Sequence, residues 1–367
     1  MATRVRSYSK INLGLAIGPL RPDGFHDLLT LYQTLALHDL VTVSARPSEA
    51  GKGIRIRLTT DHPRVPIDSR NTAWQMVERA LKATEVAAEV EIHIEKRLPV
   101  QGGMGAGSAN AAAALLALER ETSGWDEPVQ QLDEAQRLRL AAEIGSDVPL
   151  FLIGGAVLGS GRGELVTAMP EVNLGHGRGV SCVVAVPAVG VSTPFAFRQW
   201  DARQASQTAE LTSEAIPSSL KKLSLAYISA LALSAGGVWK SDTSGIVGGH
   251  SPNGPLQQDG RGTRNDLAEN TLLALVRTGI ENDFEQVVFP YHPSLCEIKR
   301  LLMGEDSGQP ALVAALSGSG SALFGLYRSE DDARAAQQRV QSSGTEAILT
   351  ETLSRTEFWK QMFADVG

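Results

Sequence analysis

Apolar and polar residues alternate near the start of the chain, and this pattern predicts a half-buried strand over residues 4–17. One face of that strand would carry the large apolar residues Ile11, Leu13, Leu15 and Ile17. Lys10 and Asn12 would then lie side by side on the opposite face. There they could be solvated, as polar side chains usually are, or they could both point into a cleft.

The same periodicities predict a mixture of strands and helices along the rest of the chain. Strands are expected at residues 28–37, 40–45, 54–58, 90–94 and 181–186, and helices at residues 71–84, 131–144, 220–233 and 330–341. We also expect a hairpin with a Gly-Arg-Gly turn at residues 154–166, a helix that begins at Thr193 and Pro194, and two helices between residues 282 and 303. A last strand at residues 347–350 would close the fold.

A glycine-rich segment, residues 98–118, differs from this background. Its sequence runs through Gly102, Gly103, Gly105 and Gly107 into Ser108, Asn110 and a stretch rich in Ala and Leu. Ala and Leu favour helices, and Ser or Asn favours the position before the first turn, so the segment predicts a flexible loop that enters a helix. Backbone N–H groups of such a loop form a site suited to phosphate. A surface loop before an ordinary core helix is the alternative.

This loop does not match two familiar nucleotide-binding motifs. It lacks the Gly-Lys-Ser/Thr ending of a P-loop, and it is not a G-x-G-x-x-G loop followed by an acid at the dinucleotide spacing. Any phosphate chemistry must therefore take its lysine and its acid from elsewhere in the chain.

Three further segments combine turn or cap signals with side chains that can do chemistry. Phe25 and His26 follow a Pro-Asp-Gly turn, and they could stack on and hydrogen-bond a flat heterocycle or simply pack. Asp147 could cap a short segment or lie partly desolvated at a cleft wall. Gly318 and Gly320 predict a tight turn between two strands, which either approaches a phosphate or is only a hairpin turn.

Composition and charge narrow the choice of function. The 367 residues are 43% hydrophobic and carry a formal net charge of −7, which argues against a general nucleic-acid or anionic-membrane surface but leaves a local basic pocket open. Cys182 and Cys296 lack metal-ligand spacing, so we expect two buried free thiols in a reducing cytoplasm. We expect no signal peptide, because the first residues contain no long apolar core, and no membrane span, because no apolar run of about 18 residues occurs. Residues 234–262, rich in Gly and Ser, are expected to form a long mobile insertion.

Three of these segments, in this order, resemble the motifs of the GHMP small-molecule kinases. They read SKINLGL at residues 9–15, the glycine loop at residues 99–112, and SGSGSALF at residues 317–324. Within that superfamily, other segments are similar to those of the 4-diphosphocytidyl-2-C-methyl-D-erythritol kinases (CDP-ME kinases) of the non-mevalonate isoprenoid pathway. Those segments read RPDGFHDL at 21–28, GSDVPLFL at 145–152, VSTPFAF at 191–197 and NDFEQVVFPYHPSL at 282–295.

The resemblance implies an α+β, two-domain GHMP kinase fold. Residues 1–172 would form an N-terminal nucleotide domain of the ribosomal-protein-S5-like type, and residues 173–367 a C-terminal ferredoxin-like α/β sandwich.

The resemblance also implies an activity and a set of site residues. ATP, with Mg²⁺, would phosphorylate the 2-hydroxyl of a cytidine diphosphate-linked methylerythritol, with Asp147 as base and Lys10 as charge stabiliser. ATP would bind to Pro99, Gly102, Gly103, Met104, Gly105, Ala106, Gly107, Ser108, Ala109 and Asn110. The substrate would bind to Asn12, Phe25, His26, Thr193 and Phe197. His26 would hydrogen-bond the cytosine, and the two phenylalanines would sandwich its ring.

Three departures from the family pattern bear on this interpretation. Tyr8 and Ser9 replace the usual Pro-Ala before Lys10, and the insertion at residues 234–262 is not typical. Four loop positions also differ, with Gln101, Met104, Ala106 and Ala109 in place of the usual residues. The loop changes would affect nucleotide affinity rather than the reaction itself. The alternatives are another GHMP kinase, acting on homoserine or mevalonate, and a non-catalytic nucleotide-binding module.

Overall fold

Two long antiparallel strands, β1 (Thr3–Leu20) and β2 (His26–Pro47), form the centre of the first sheet. The structure is a computed structural model that describes residues 2–49, 52–100, 102–126, 129–170, 179–208 and 281–365. The helix expected at residues 220–233, the insertion expected at residues 234–262 and Gln101 lie outside the described residues.

The other strands of the first sheet lie on both sides of this pair. They are β3 (Arg55–Thr60), β4 (Ala88–Glu95), β5 (Ala156–Ser160), β6 (Leu165–Ala168) and β11 (Phe363–Ala364). The order is β11-β1-β2-β4-β3, and β5 also pairs with β2 and carries β6. The strands expected separately at residues 28–37 and 40–45 are one strand, because both parts pair with β1. The hairpin expected at residues 154–166 is confirmed.

Helices α1 (Thr72–Ala83) and α2 (Ala106–Thr122) pack with this sheet, and α3 (Glu134–Ile144) packs against those two helices. The residue before α2 is Gly105, in the left-handed conformation with φ 71°. Ser108 and Asn110, expected to cap this helix, instead lie inside its first turns. The expectation was wrong by about one turn, because a glycine can take the positive φ that this entry requires. The helix therefore begins directly at the end of the glycine loop.

The second sheet has the order β10-β7-β9-β8, and all its neighbours are antiparallel. Its strands are β7 (Ser181–Val186), β8 (Val313–Leu316), β9 (Leu323–Tyr327) and β10 (Glu346–Glu351). The helices of this part are α4 (Thr193–Thr208), α5 (Glu285–Val288), α6 (Pro293–Met303) and α7 (Glu330–Ser342). The helix expected to begin at Thr193, the two helices expected between 282 and 303 and the strand–turn–strand expected near 318 are all confirmed. The α+β fold class is confirmed as well.

A β-bulge in β1 lets one strand serve two cores. The pairing register with β2 shifts just after Asn12, so the alternation of side chains reverses there. Ile11 and Leu13 belong to a core between the two sheets, whereas Leu15 and Ile17 belong to the core of the second sheet. The expectation that these four side chains share one face was therefore wrong. A bulge adds a residue to the strand, and this breaks the period of two.

The chain returns to the first sheet after β10. Helix α8 (Arg355–Lys360) packs there, and β11 pairs with β1 at Arg4 and Val5. Phe358 is 1% exposed and lies in the core of the first sheet, with its ring 5.1 Å from that of Tyr8. The strand expected at residues 347–350 is confirmed as β10. It does not close the fold as expected, because the apolar residues that follow it complete the first core.

Both cysteines are free thiols. Cys182 is buried in β7, which raises the pKa of its thiol, whereas Cys296 is only half-buried. Burial was therefore predicted correctly for the first cysteine only. Within the described residues, none of the helices combines the length and the apolar character needed to cross a bilayer.

The burial of Phe358 in the first core predicts how its replacement changes the stability of the protein. Replacing Phe358 with Ala should lower the free energy of unfolding by about 3–5 kcal/mol, because the variant leaves a cavity in the first core. Phe363→Ala is the matched control, because Phe363 is 38% exposed and its ring packs against the guanidinium of Arg120. That control should cost about 1 kcal/mol or less. Urea unfolding followed by circular dichroism measures both, and equal losses would contradict the packing described.

Candidate active site

A cleft of about 490 Å³ lies where β1 and β2 meet the glycine loop, α4 and the turn between β8 and β9. The sequence-predicted residues that line it are Lys10, Asn12, Phe25, His26, Gly103, Gly105, Asp147, Thr193 and Phe197. Every residue expected to act on the substrate or the transferred group thus reaches one cavity. Tyr32, Ser146, Arg162 and Asp201 line it as well and were not predicted.

At one end of the cleft, an acid is held between a lysine and a tyrosine. Nζ of Lys10 lies 3.3 Å from Oδ2 of Asp147, and the hydroxyl of Tyr32 donates a 2.9 Å hydrogen bond to Oδ1. The side chain of Lys10 is 3% exposed, whereas that of Asp147 is 30% exposed. Burial and the charge of Asp147 raise the pKa of Tyr32 well above its ordinary value. The phenol therefore stays protonated and donates to the carboxylate.

Asp147 lies at the cleft wall rather than at a helix cap. The short 3₁₀ turn that follows, Pro149–Leu152, receives no side-chain hydrogen bond at its start. The carboxylate of Asp147 therefore faces the cleft, where Lys10 and Tyr32 contact its two oxygens.

A run of hydrogen bonds fixes the polar residues of β1. Nζ of Lys10 donates to Oδ1 of Asn12 at 2.7 Å, and Nδ2 of Asn12 donates to Oγ1 of Thr30 at 2.7 Å. The hydroxyl of Thr30 donates in turn to the carbonyl oxygen of Gly14 at 2.9 Å. Lys10 and Asn12 are buried, so of the two alternatives open from the sequence, the cleft is correct and solvation is not.

The glycine loop touches this end of the cleft through its backbone. The N–H of Lys10 donates to the carbonyl oxygen of Met104 at 3.1 Å. Gly103 and Gly105 have φ values of 73° and 71°, in the left-handed region. A Cβ at Gly105 would lie 3.1 Å from Cγ of Lys10, and a Cβ at Gly103 would overlap the carbonyl oxygen of Ser317. Glycine is required at both positions by conformation and by close approach.

The turn between β8 and β9 lies against the glycine loop. Oγ of Ser317 donates to the carbonyl oxygen of Gly103 at 3.0 Å. Nδ2 of Asn282 donates to the carbonyl oxygens of Leu316 and Gly318 at 2.8 and 2.7 Å and holds the turn from behind. The second glycine element is thus a hairpin turn that also borders the cleft.

The remaining loop residues expected to bind ATP surround the start of α2. Gly107 is exposed, and Pro99, Ala106 and Ser108 are half-buried. Gly102, Met104, Ala109 and Asn110 are buried, and Oδ1 of Asn110 accepts a 2.6 Å hydrogen bond from Ser7. Contacts from these buried residues to a ligand would have to come from the backbone. The first N–H groups of a helix have no partner within it, so they are the donors this segment can offer.

His26 and Phe197 form the other end of the cleft. Their rings are stacked, with an interplanar angle of 8° and centroids 5.3 Å apart. Nδ1 of His26 lies 3.0 Å from the carbonyl oxygen of Gly18, which can only accept, so Nδ1 carries the proton. Nε2 is 2.8 Å from Oδ1 of Asp201. With the proton on Nδ1, Nε2 and the carboxylate oxygen are both acceptors, so this buried Nε2 has no hydrogen-bond partner within the described residues.

Phe25 and Thr193 complete this end. Phe25 is 51% exposed, and the guanidinium of Arg162 lies 4.9 Å from its ring centroid. The hydroxyls of Thr193 and Ser319 lie 2.7 Å apart and connect α4 to the turn between β8 and β9.

Known proteins match this chain along most of its length. The models of the GHMP kinases N terminal domain and the GHMP kinases C terminal domain match residues 71–155 and 265–346. A 4-diphosphocytidyl-2-C-methyl-D-erythritol kinase of Synechococcus sp. (strain JA-2-3B'a(2-13)) is 32% identical over 98% of this chain and 93% of its own. The chain belongs to the CDP-ME kinase family.

Two further comparisons agree with this assignment. A CDP-ME kinase of Nocardioides sp. (strain ATCC BAA-499 / JS614) is 33% identical over 94% of this chain and 95% of its own. A crystal structure of a 4-(cytidine 5'-diphospho)-2C-methyl-D-erythritol kinase superposes with a TM-score of 0.60 over 95% of this chain and 98% of its own, at 24% identity. At that identity the superposition shows the fold alone. Membership of the family rests on the two relatives that are more than 30% identical.

The cleft of this CDP-ME kinase family member contains residues that sequence reasoning missed. Tyr32 pairs directly opposite Asn12 in the register of β1 and β2. Both strands were predicted, but the register that joins the two residues was not. Arg162 lies in the predicted Gly-Arg-Gly turn, and that turn was read only as a connection between strands. Asp201 carries no motif that the sequence could have shown.

The described residues contain no group of three or more His, Cys, Asp or Glu placed to hold a metal ion. The carboxylates that line the cleft, Asp147 and Asp201, belong to its two different ends. Any metal in this cleft would therefore need most of its ligands from a bound molecule.

The hydrogen bond from Tyr32 to Asp147 leads us to expect lower turnover when Tyr32 is replaced. Tyr32→Phe removes one donor to the carboxylate, and turnover should fall about five- to tenfold, the value of one hydrogen bond. KM values for both substrates should stay within about twofold, because the hydrogen bond of the phenol is to the carboxylate of Asp147. Steady-state kinetics measures both. Tyr291→Phe, a change on the exposed surface at a tyrosine bonded to Gln199, is the control. Unchanged turnover in Tyr32→Phe would contradict the positioning role.

Proposed function

We propose that this chain transfers the γ-phosphoryl group of ATP to the 2-hydroxyl of 4-diphosphocytidyl-2-C-methyl-D-erythritol. The observation that carries the proposal is one cleft with two different ends. A lysine-bound acid lies at one end beside a glycine loop, and an aromatic pair with an unsatisfied ring nitrogen lies at the other. Family membership supports the same reaction, because the relatives are named for this substrate.

Asp147 and Lys10 are the residues we assign to the transfer itself. The attacking 2-hydroxyl would give its proton to Asp147 as its oxygen bonds to the γ-phosphorus and the bond to ADP breaks. Lys10 would offset negative charge on Asp147 and on the transferred group. The buried ammonium already has two oxygen partners, so it is fixed in place before substrate arrives. Such fixed charge needs no reorganisation during the reaction.

The glycine loop supports binding of the ATP phosphates. Gly105 brings the loop backbone close to Lys10, and Gly103 brings it against Ser317. The N–H groups at the start of α2 provide donors for an anion. Mg²⁺ fits this arrangement only as an ion carried by the phosphates, because such ions take one or two carboxylates and substrate oxygens. Asp147 is the carboxylate placed to contact it, and the ion would neutralise phosphate charge.

The aromatic end supports binding of cytosine. In the tautomer whose Nδ1 donates to Gly18, Nε2 of His26 is an acceptor, which suits the exocyclic amino group of cytosine and not the carbonyl of uracil. The flat ring would lie against Phe25, and Phe197 would hold His26 from behind. Asn12 and Thr193 would orient the polar groups between the two ends. A kinase for homoserine or mevalonate would have no use for this end of the cleft.

The proposal is tested by offering the purified chain a panel of alcohols with ATP and Mg²⁺. We expect phosphorylation of the cytidylyl-methylerythritol and none of mevalonate or homoserine. The uridylyl analogue should be turned over at least about tenfold less efficiently, because its carbonyl faces an acceptor. Product formation followed by phosphorus NMR measures all four reactions. Turnover of mevalonate or homoserine instead would overturn the substrate, and ATP binding without any turnover would favour a binding module.

The base assignment makes a separate prediction. Asp147→Asn should fold normally and bind both substrates, but turnover should fall about 10²–10⁴-fold, the usual contribution of a general base. Asp133→Asn is the matched control, because Asp133 caps α3 on the surface and Asn caps helices equally well. Near-normal turnover in Asp147→Asn would remove Asp147 from the proton transfer.

A further inference from the structure

Arg162 lies at the tip of the hairpin between β5 and β6, and none of the roles above uses it. Gly161 and Gly163 flank it with φ values of 70° and 102°. The N–H of Leu28 donates to the carbonyl oxygen of Gly161 at 2.6 Å, which fastens the tip to β2. The turn therefore presents one arginine to the cleft from a fixed backbone.

The two terminal nitrogens of the Arg162 guanidinium are available as hydrogen-bond donors. Its Nε lies 3.4 Å from Oε1 of Glu164, a long contact, while Oε2 of Glu164 accepts the backbone N–H of Arg162 at 2.6 Å. One face of the guanidinium lies over the ring of Phe25. Neither terminal nitrogen has a hydrogen-bond partner among the described residues. An arginine fork with both terminal nitrogens open matches the geometry of a phosphate.

The tip also lies between the two ends of the cleft. On one side Arg162 contacts Phe25, at the aromatic end. On the other side a Cβ at Gly163 would lie 2.6 Å from the hydroxyl of Tyr32, which is bonded to Asp147. A ligand that joins a base at the aromatic end to a hydroxyl at Asp147 must therefore pass this turn.

The other charged groups of the cleft are paired, which makes Arg162 the cation between its two ends. Lys10 is paired with Asp147, and the open nitrogen of His26 faces Asp201. The acids near Arg162 are Glu164, which binds its backbone, and Asp23, whose pKa is lowered chiefly by Arg21. A negatively charged linker would thus meet a cation only here, among the described residues between the two ends.

We propose that Arg162 binds the diphosphate that links the cytidine to the methylerythritol in the substrate. This inference rests on the proposed function, and it adds the residue that recognises the linker. Stacking on Phe25 would hold the plane of the guanidinium, so that both terminal nitrogens point at the phosphate oxygens. The residue sets the position of the substrate and takes no part in the transfer.

Binding of CDP and CMP to the full-length chain, measured by calorimetry, tests this assignment. The unaltered chain should bind CDP at least about tenfold more tightly than CMP, and Arg162→Gln should lose most of that preference while its affinity for CMP changes little. Arg162→Lys should recover only part of it, because an ammonium lacks the fork. Arg334→Gln, an exposed arginine paired with Glu330 on α7, should match the unaltered chain.

Kinetics gives the second readout. In Arg162→Gln the KM for the cytidylyl substrate should rise about ten- to hundredfold, with the KM for ATP and the turnover number within about threefold. Equal loss of CDP and CMP affinity, or a fall in turnover without a change in KM, would overturn the role of Arg162 and leave the proposed function standing. Failure of the unaltered chain to bind either nucleotide would overturn the proposed function and this inference with it.

Discussion

A buried ammonium needs oxygen partners, and the cleft is built around meeting that need for Lys10. The side chain is almost fully removed from water, and an uncompensated charge in that position would cost several kcal/mol. Asn12 and Asp147 supply the oxygens, Thr30 holds Asn12, and Tyr32 holds Asp147. Each partner comes from β1, β2 or the segment before a 3₁₀ turn. The pairing of two long strands is therefore also what assembles the polar end of the site.

The sequence predicted more of the elements than of their relations. Hairpins, helices and the glycine loop were each visible in a short window, because turn residues and periodicity are local signals. The bulge after Asn12 was not, because nothing in an alternating pattern marks the place where one residue is added. β2 was predicted as two strands, because the polar residues His38 and Asp39 interrupt its apolar pattern as a turn would. The return of the chain to the first sheet at Phe358 depends on a distant core and has no local signal.

The residues of the site also fall into those with a local sequence signal and those without one. Lys10, Asp147, His26, Gly103 and Gly105 could be named from motifs, and the structure brings them to one cleft. Whether each acts as expected stays a prediction, but their proximity is a finding. Tyr32 and Arg162 were missed because each depends on a neighbour that only the register of the sheet supplies. A tyrosine in an apolar strand reads as core, and an arginine between glycines reads as a turn.

The contact between the two glycine elements also bears on how the protein is made. Ser317 donates its hydrogen bond to Gly103 across 214 residues of chain. Domains tend to fold from the N-terminal side during synthesis, so the strands and helices around the glycine loop can form while the ribosome is still far from residue 317. The partner that borders Gly103 is absent throughout that interval. The first core also lacks Phe358 and β11 during that interval, so a nascent chain completes both this core and the surroundings of its glycine loop only near the end of translation.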